Sequence, residues 1–167
     1  MRLPLLLAGL VLAGVSTPAS AAPAGGPVTG TWQALVPAAI TSFDPSVADP
    51  TKGAFTAVGS TLWCGDWTGV TTYTMRGTVD LVTSASTGTL EETFNGSATN
   101  GDAGSLTLTE TFTLDAAGTV AIRIRIVSGT GDFTGSRGRV EFAGHMISIA
   151  TGSGTYHGRW TRPGRPA

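Results

Sequence analysis

Two glutamates carry the strongest chemical signal in this sequence. Glu92 stands in register with Leu90 and Phe94, and Glu110 with Leu106, Leu108, Phe112 and Leu114. Period-two alternation puts both carboxylates on the apolar side of their segments. The segments are consecutive, so the two groups can be near neighbours. A buried carboxylate costs several kcal/mol unless it is paired or protonated. Burial raises its pKa, and a second carboxylate beside it raises one of the pair further. Such a group can act as a general acid or base, or anchor a ligand. The alternative is that each sits near a mouth of the fold, hydrated or hydrogen-bonded to Thr, Tyr or Trp, as exposed glutamates are far commoner than buried ones. Tyr73, Met75, Tyr156 and Trp160 join Glu92 and Glu110 as candidate ligand-binding residues. Trp32, Trp63 and Trp67 can line the same interior. Aromatics with polar tips suit a pocket, and they equally fill a core.

Other chemistries find no support. The run Gly129-Thr130-Gly131-Asp132-Phe133-Thr134-Gly135 invites a phosphate-loop reading, but Thr134 stands where Gly-x-Gly-x-x-Gly needs its third glycine. No helix follows to hold a phosphate at its N-terminus. His145 and His157 lack metal-ligand spacing. No Gly-x-Ser-x-Gly elbow is present for Ser/His/Asp catalysis. The sequence thus points to no cofactor and no metal. Asn95-Gly96-Ser97 matches a glycosylation acceptor and reads more simply as a hairpin turn.

The elements that must position the glutamates are strands. Thr, Gly, Val, Ser and Ala dominate, apolar residues show no helical spacing, and glycines recur where turns are needed. Strand-like segments fall near 30–36, 54–62, 70–82, 88–97, 104–115, 119–128, 137–143 and 147–161, the last with a possible break at Gly152 or Gly154. Pro37 to Lys52 holds three prolines and reads as a long loop. About eight antiparallel strands, each with one apolar face, can close into a barrel, which also removes exposed edges. A two-sheet β-sandwich is the structural alternative. Gly131-Asp132-Phe133-Thr134-Gly135 and Gly154-Thr155-Tyr156-His157-Gly158 share a Gly-x-aromatic-x-Gly pattern, which suggests recurrent hairpin or bulge chemistry.

The N-terminus predicts export. Arg2, the apolar run Leu5 to Val15 and the small residues Ala19-Ser20-Ala21 have the anatomy of a signal peptide cleaved after Ala21. The run is too short to span a bilayer, which needs about 20 residues. Residues 22–28 then form a flexible leader, 29–163 one all-β domain and 164–167 a tail. Cys64 is the only cysteine, so no disulfide forms within the chain; a small buried hydrophobe is the expected role. The exported chain retains nine basic and eleven acidic residues, which gives no reason to expect nucleic acid or an anionic membrane as partner. From Ala22 to Ala117 there are two basic and nine acidic residues, and from Gly118 onward seven basic and two acidic. Pairing of acidic with basic strands across the sheet is the simple expectation.

Residues Val127 to Gly138 (VSGTGDFTGSRG) resemble the signature of a bacterial family of uncharacterised secreted proteins. Gly30-Thr31-Trp32, Glu92-Thr93-Phe94-Asn95-Gly96 and Gly152-Ser153-Gly154-Thr155-Tyr156 extend the likeness over roughly Thr29 to Pro163. The resemblance implies the eight-stranded barrel also seen in plant allene oxide cyclases and dirigent proteins, with a central cavity. It carries over no catalytic residue from either, and shared fold is not shared function. Three functions follow as expectations. The first is a secreted barrel binding a small apolar molecule. The second is a cyclase or isomerase using Glu92 or Glu110. The third is a non-catalytic structural or interaction protein.

Overall fold

The structure, a computed structural model, describes residues 25–148 and 151–162. The stretch expected to be a signal peptide, residues 1–21, and the expected tail, residues 164–167, lie outside the described residues. Eight strands follow in order: β1 (Gly25–Pro45), β2 (Lys52–Gly65), β3 (Trp67–Asp80), β4 (Ser86–Ala98), β5 (Ala103–Leu114), β6 (Thr119–Gly129), β7 (Arg137–Ser148) and β8 (Thr151–Thr161). Each pairs antiparallel with the next, and β1 also pairs with β8 from Gly25↔Thr161 to Gln33↔Ser153. That last ladder closes the sheet into a barrel and rules out the sandwich.

Three boundaries differ from expectation. The leader is strand from Gly25 on, with Val28 buried, because β8 offers a full ladder to pair with. The long loop shrinks to residues 46–51, since β1 runs through Pro37 to Pro45. Register shifts between Ala34 and Val36, Val36 and Ala39, and Ile40 and Ser42 absorb Pro37, whose missing N–H a regular ladder does not tolerate. The break between the last two strands falls after Ser148, so β7 extends past Ala143 and β8 runs unbroken through Gly152 and Gly154.

Two motifs also change meaning. Asn95-Gly96-Ser97 lies within β4, where Ser105 Oγ donates to Asn95 Oδ1 at 2.6 Å. The Gly-x-aromatic-x-Gly pair is not one device used twice: Gly154 to Gly158 is strand interior, whereas Gly131–Phe133 is a 3-10 turn joining β6 to β7. Gly131 and Gly135 there take φ of +60° and +78°, which glycine adopts without steric cost. Their turn drives Phe133 into the barrel end. There it packs edge-on to Trp67 and Trp160, with ring centroids 6.5 and 5.6 Å away.

The core is therefore polarised. Trp63, Trp67, Phe94, Phe133, Tyr156 and Trp160 fill the end bearing the β2–β3, β4–β5 and β6–β7 connections, all at most 5 % exposed. Tyr156 locks this end: its hydroxyl accepts from the Trp67 N–H at 3.0 Å and donates to the Trp67 carbonyl at 2.9 Å. At the opposite end, short turns are held by aspartates. Asp80 Oδ1 accepts the N–H groups of Val82 and Thr83, and Asp115 Oδ1 those of Ala117 and Thr119. Cys64 is exposed, on the outward row of β2, so the buried role expected for it is wrong. No helix among the described residues is long and apolar enough to cross a membrane.

Candidate functional site

Register places the two glutamates inside the barrel in adjacent rows. Tyr73 pairs with Glu92 and Glu92 with Leu108; one inward row nearer the β3–β4 turn, Met75 pairs with Leu90 and Leu90 with Glu110. Both carboxylates are 5 % exposed. Both side chains are thus inward and buried, as the alternation reads, and Glu92 also meets the alternative's hydrogen bond to a threonine.

Neighbouring side chains set their electrostatics. Trp63 Nε1 donates to Thr61 Oγ1 at 3.1 Å, and Thr61 Oγ1 donates to Glu92 Oε1 at 3.4 Å. Thr61 Oγ1 also lies 2.5 Å from Thr71 Oγ1. A hydroxyl has one proton and two lone pairs, so with Thr61 donating to Glu92, Thr71 donates to Thr61. The relay from Thr71 through Thr61 aims a donor at Glu92. Glu110 has no such relay, and its buried Oε1 accepts no hydrogen bond from a protein donor. Burial raises the Glu110 pKa well above the usual carboxyl range, and the charge of Glu92 and a side-chain hydrogen bond with it push the same way. Glu110 therefore keeps its proton to higher pH than an ordinary glutamate. The Tyr73 hydroxyl is pushed up to about 12 by burial first and by the charges of Glu92 and Glu110 second. The cluster thus offers a carboxyl donor, a carboxyl acceptor and a phenol donor within one apolar wall.

Two residues in the second half of β1 point inward yet stay half-exposed. Ile40 pairs with the fully buried Ala57, and Phe43 with Phe55, so both carry the inward register; they are nevertheless 54 % and 43 % exposed. Phe55 packs edge-on to Phe112, with centroids 6.4 Å apart. Successive inward residues of a strand lie about 7 Å apart. Glu110 is hence one such step below Phe112.

Of the expected ligand-binding residues, the structure brings Tyr73, Met75, Glu92 and Glu110 together. Tyr156 and Trp160 belong to the sealed end instead, where their rings contact Trp63, Trp67 and Phe133. Ile40 and Phe43 escaped the sequence reading because the prolines around them imitate a loop. Thr61 and Thr71 escaped it because a buried threonine looks like any other strand threonine. Among the described residues, no group of His, Cys, Asp and Glu could hold a metal ion. A groove of about 860 Å3 crosses β1 to β5, lined mostly by outward residues such as Val58, Ser60, Thr72 and Thr93 and also touching Tyr73 and Glu92.

These features define a closed eight-stranded antiparallel barrel, filled by aromatics at one end and holding a buried carboxyl pair in its interior. Within that class, the chain belongs to the DUF3224 family, described as a protein of unknown function, whose pattern matches residues 37–157. A crystal structure of a protein with unknown function from the same family, from Shewanella oneidensis MR-1, has the same fold. It superposes with a TM-score of 0.62 at 17 % identity and covers 84 % of this chain and 98 % of that one. No curated protein matches the sequence.

Proposed function

We propose that this is an exported barrel that binds a small, mostly apolar molecule through its open mouth, with the molecule's polar end against Glu92 and Glu110. The carrying observation is a contrast along the interior rows: Ile40, in the row that leads through Ala57, Met75 and Leu90 to Glu110, and Phe43, one row nearer the β1–β2 turn, are half-exposed, whereas the carboxyl pair is buried and Glu110 Oε1 accepts no hydrogen bond from a protein donor. An unpartnered buried polar atom costs about 1–3 kcal/mol, which a ligand hydroxyl or carbonyl offsets. A neutral head group fits; a carboxylate ligand would add a further negative charge to a low-dielectric site. Export is supported by the signal-peptide pattern of residues 1–21.

Native mass spectrometry of the protein purified without detergent, with solvent extraction of what co-purifies, tests the reading. The expected result is a stoichiometric neutral molecule, displaced by the uncharged probe N-phenyl-1-naphthylamine. A bare mass together with no saturable probe binding overturns it and leaves a filled structural barrel. A second reading, a cyclase or isomerase, rests on a proton-holding Glu110 beside an acceptor Glu92, since proton transfer needs both partners in reach. It requires turnover of the extracted molecule that Glu110→Gln abolishes, and turnover intact in that variant ends it.

A further inference from the structure

The outer face of β6, β7 and β8 breaks the charge pairing expected of a chain that is acidic in one half and basic in the other. Six of the eleven acids are committed elsewhere: Glu92 and Glu110 inside the barrel, and Asp49, Asp66, Asp80 and Asp115 in turns. Register then sets Arg125 opposite Arg139, Arg139 opposite Arg159, and Arg159 opposite Pro27. All three arginines are exposed, and none has an ion-pair partner among the described residues. The next outward row reads Arg123, Glu141, His157, Thr29. It is internally compensated: Glu141 faces Arg123 in register and lies 3.7 Å from His157 Nε2.

Like charges directly opposite one another destabilise a sheet. Here three follow in succession on strands about 4.8 Å apart. Between the two rows run Val28, Gly158 and Val140, whose side chains point inward or are missing, so the outer surface sinks. The groove so formed, about 530 Å3, is lined by Arg139, Arg159, His157, Glu141 and the Pro27 to Thr29 segment. Its two walls stand about 7 Å apart.

We propose that this groove binds an elongated anion carrying two or more phosphate groups, laid across the strands along Arg139 and Arg159, with Arg125 continuing the same row just beyond the groove. The planar guanidinium fork pairs phosphate oxygens bidentately, and repetition at one-strand spacing favours several linked phosphates over a single one. Glu141 on the facing wall repels negative charge and accepts a hydrogen bond from a hydroxyl, so it directs the phosphates to the arginine side. The site is separate from the barrel interior and stands whether or not the mouth takes a ligand.

Calorimetric titration of the full chain with sodium tripolyphosphate and with orthophosphate, at matched ionic strength, tests the proposal. Tripolyphosphate is expected to bind saturably and about tenfold or more tighter than orthophosphate. The double variant Arg139→Gln/Arg159→Gln is expected to lose that binding, while Arg76→Gln, on β3 and 3.8 Å from Glu91, keeps it. The free double variant should unfold at the same or a higher temperature than the parent, because it relieves like-charge repulsion. No saturable binding, equal affinity for the two anions, or binding indifferent to the double variant overturns the proposal. So does a lowered unfolding temperature of the free double variant, which would mean the arginines are stabilised without an anion.

Discussion

The two ends of the barrel are built from the same alternation and reach opposite results. At the sealed end, inward aromatics meet one another, and the turn at Gly131–Phe133 adds a plug from outside the strands. At the open end, β1 runs on past its ladder with β8, which stops at Gln33, so Ile40 and Phe43 point inward with β2 as their only strand partner and stay half-exposed. The sealed end supplies stability through close packing. The open end gives up some of that packing, and there the carboxyl pair lies within one or two rows of solvent. A barrel can thus keep a polar, unpaired group inside one half because the other half holds the fold together.

The largest expected effect separates the ends directly. Trp67→Ala removes a fully buried ring and should lower stability by about 3–5 kcal/mol in chemical denaturation. A loss below about 1 kcal/mol would break the comparison, because such a cavity cannot be that cheap in a packed end. Next, Tyr156→Phe keeps the ring and deletes the hydroxyl that serves both backbone groups of Trp67. Leaving them unpaired should cost about 1–3 kcal/mol, read as an earlier denaturation midpoint with unchanged slope.

Glu110→Gln sharpens the contrast through pH. The folded pKa of Glu110 lies above its ordinary value of 4.5, so between those two values the native state binds more protons than the unfolded one. Stability therefore falls as pH rises from about 4.5 towards the folded pKa. In Glu110→Gln that fall should vanish, and the variant should match or exceed the parent at neutral pH. The turn aspartates behave oppositely. Hydrogen bonds hold Asp49, Asp80 and Asp115 below their usual 3.8, so their contribution is present above that value and lost as pH drops through the folded pKa. That acid limb should be unchanged in the variant, and thermal unfolding across pH 2 to 8 reads both limbs at once. The smallest stability effect belongs to Phe43→Ala, under about 1 kcal/mol because much of the ring already meets water. Its effect on N-phenyl-1-naphthylamine binding should be the larger one. A ring that costs several kcal/mol to remove would instead belong to a packed core.

Much of this was legible in the residues. Alternation through Leu106, Leu108, Phe112 and Leu114 assigned Glu110 to the interior, because a strand's side-chain period of two leaves no third direction. The same logic placed Glu92. Alternation says nothing about how far along the barrel a residue sits, so it could not separate Tyr156 and Trp160 from Tyr73 and Met75. Only the stagger between strands assigned the first two to the sealed end. Prolines hid the second half of β1, because local backbone preference marks a loop, whereas β2 supplied a partner and bulges absorbed Pro37. Cys64 was misplaced for a similar reason: its type favours burial, but its position lies on the outward row.

The sequence by itself determined an all-β fold, its antiparallel strand directions and the inward aim of both glutamates, since these follow from local periodicity and turn chemistry. The tertiary structure alone decided which inward residues share a row, which end is sealed, and that three arginines from separate strands stand side by side. Those are properties of register, and register is fixed by contacts between residues far apart in the chain.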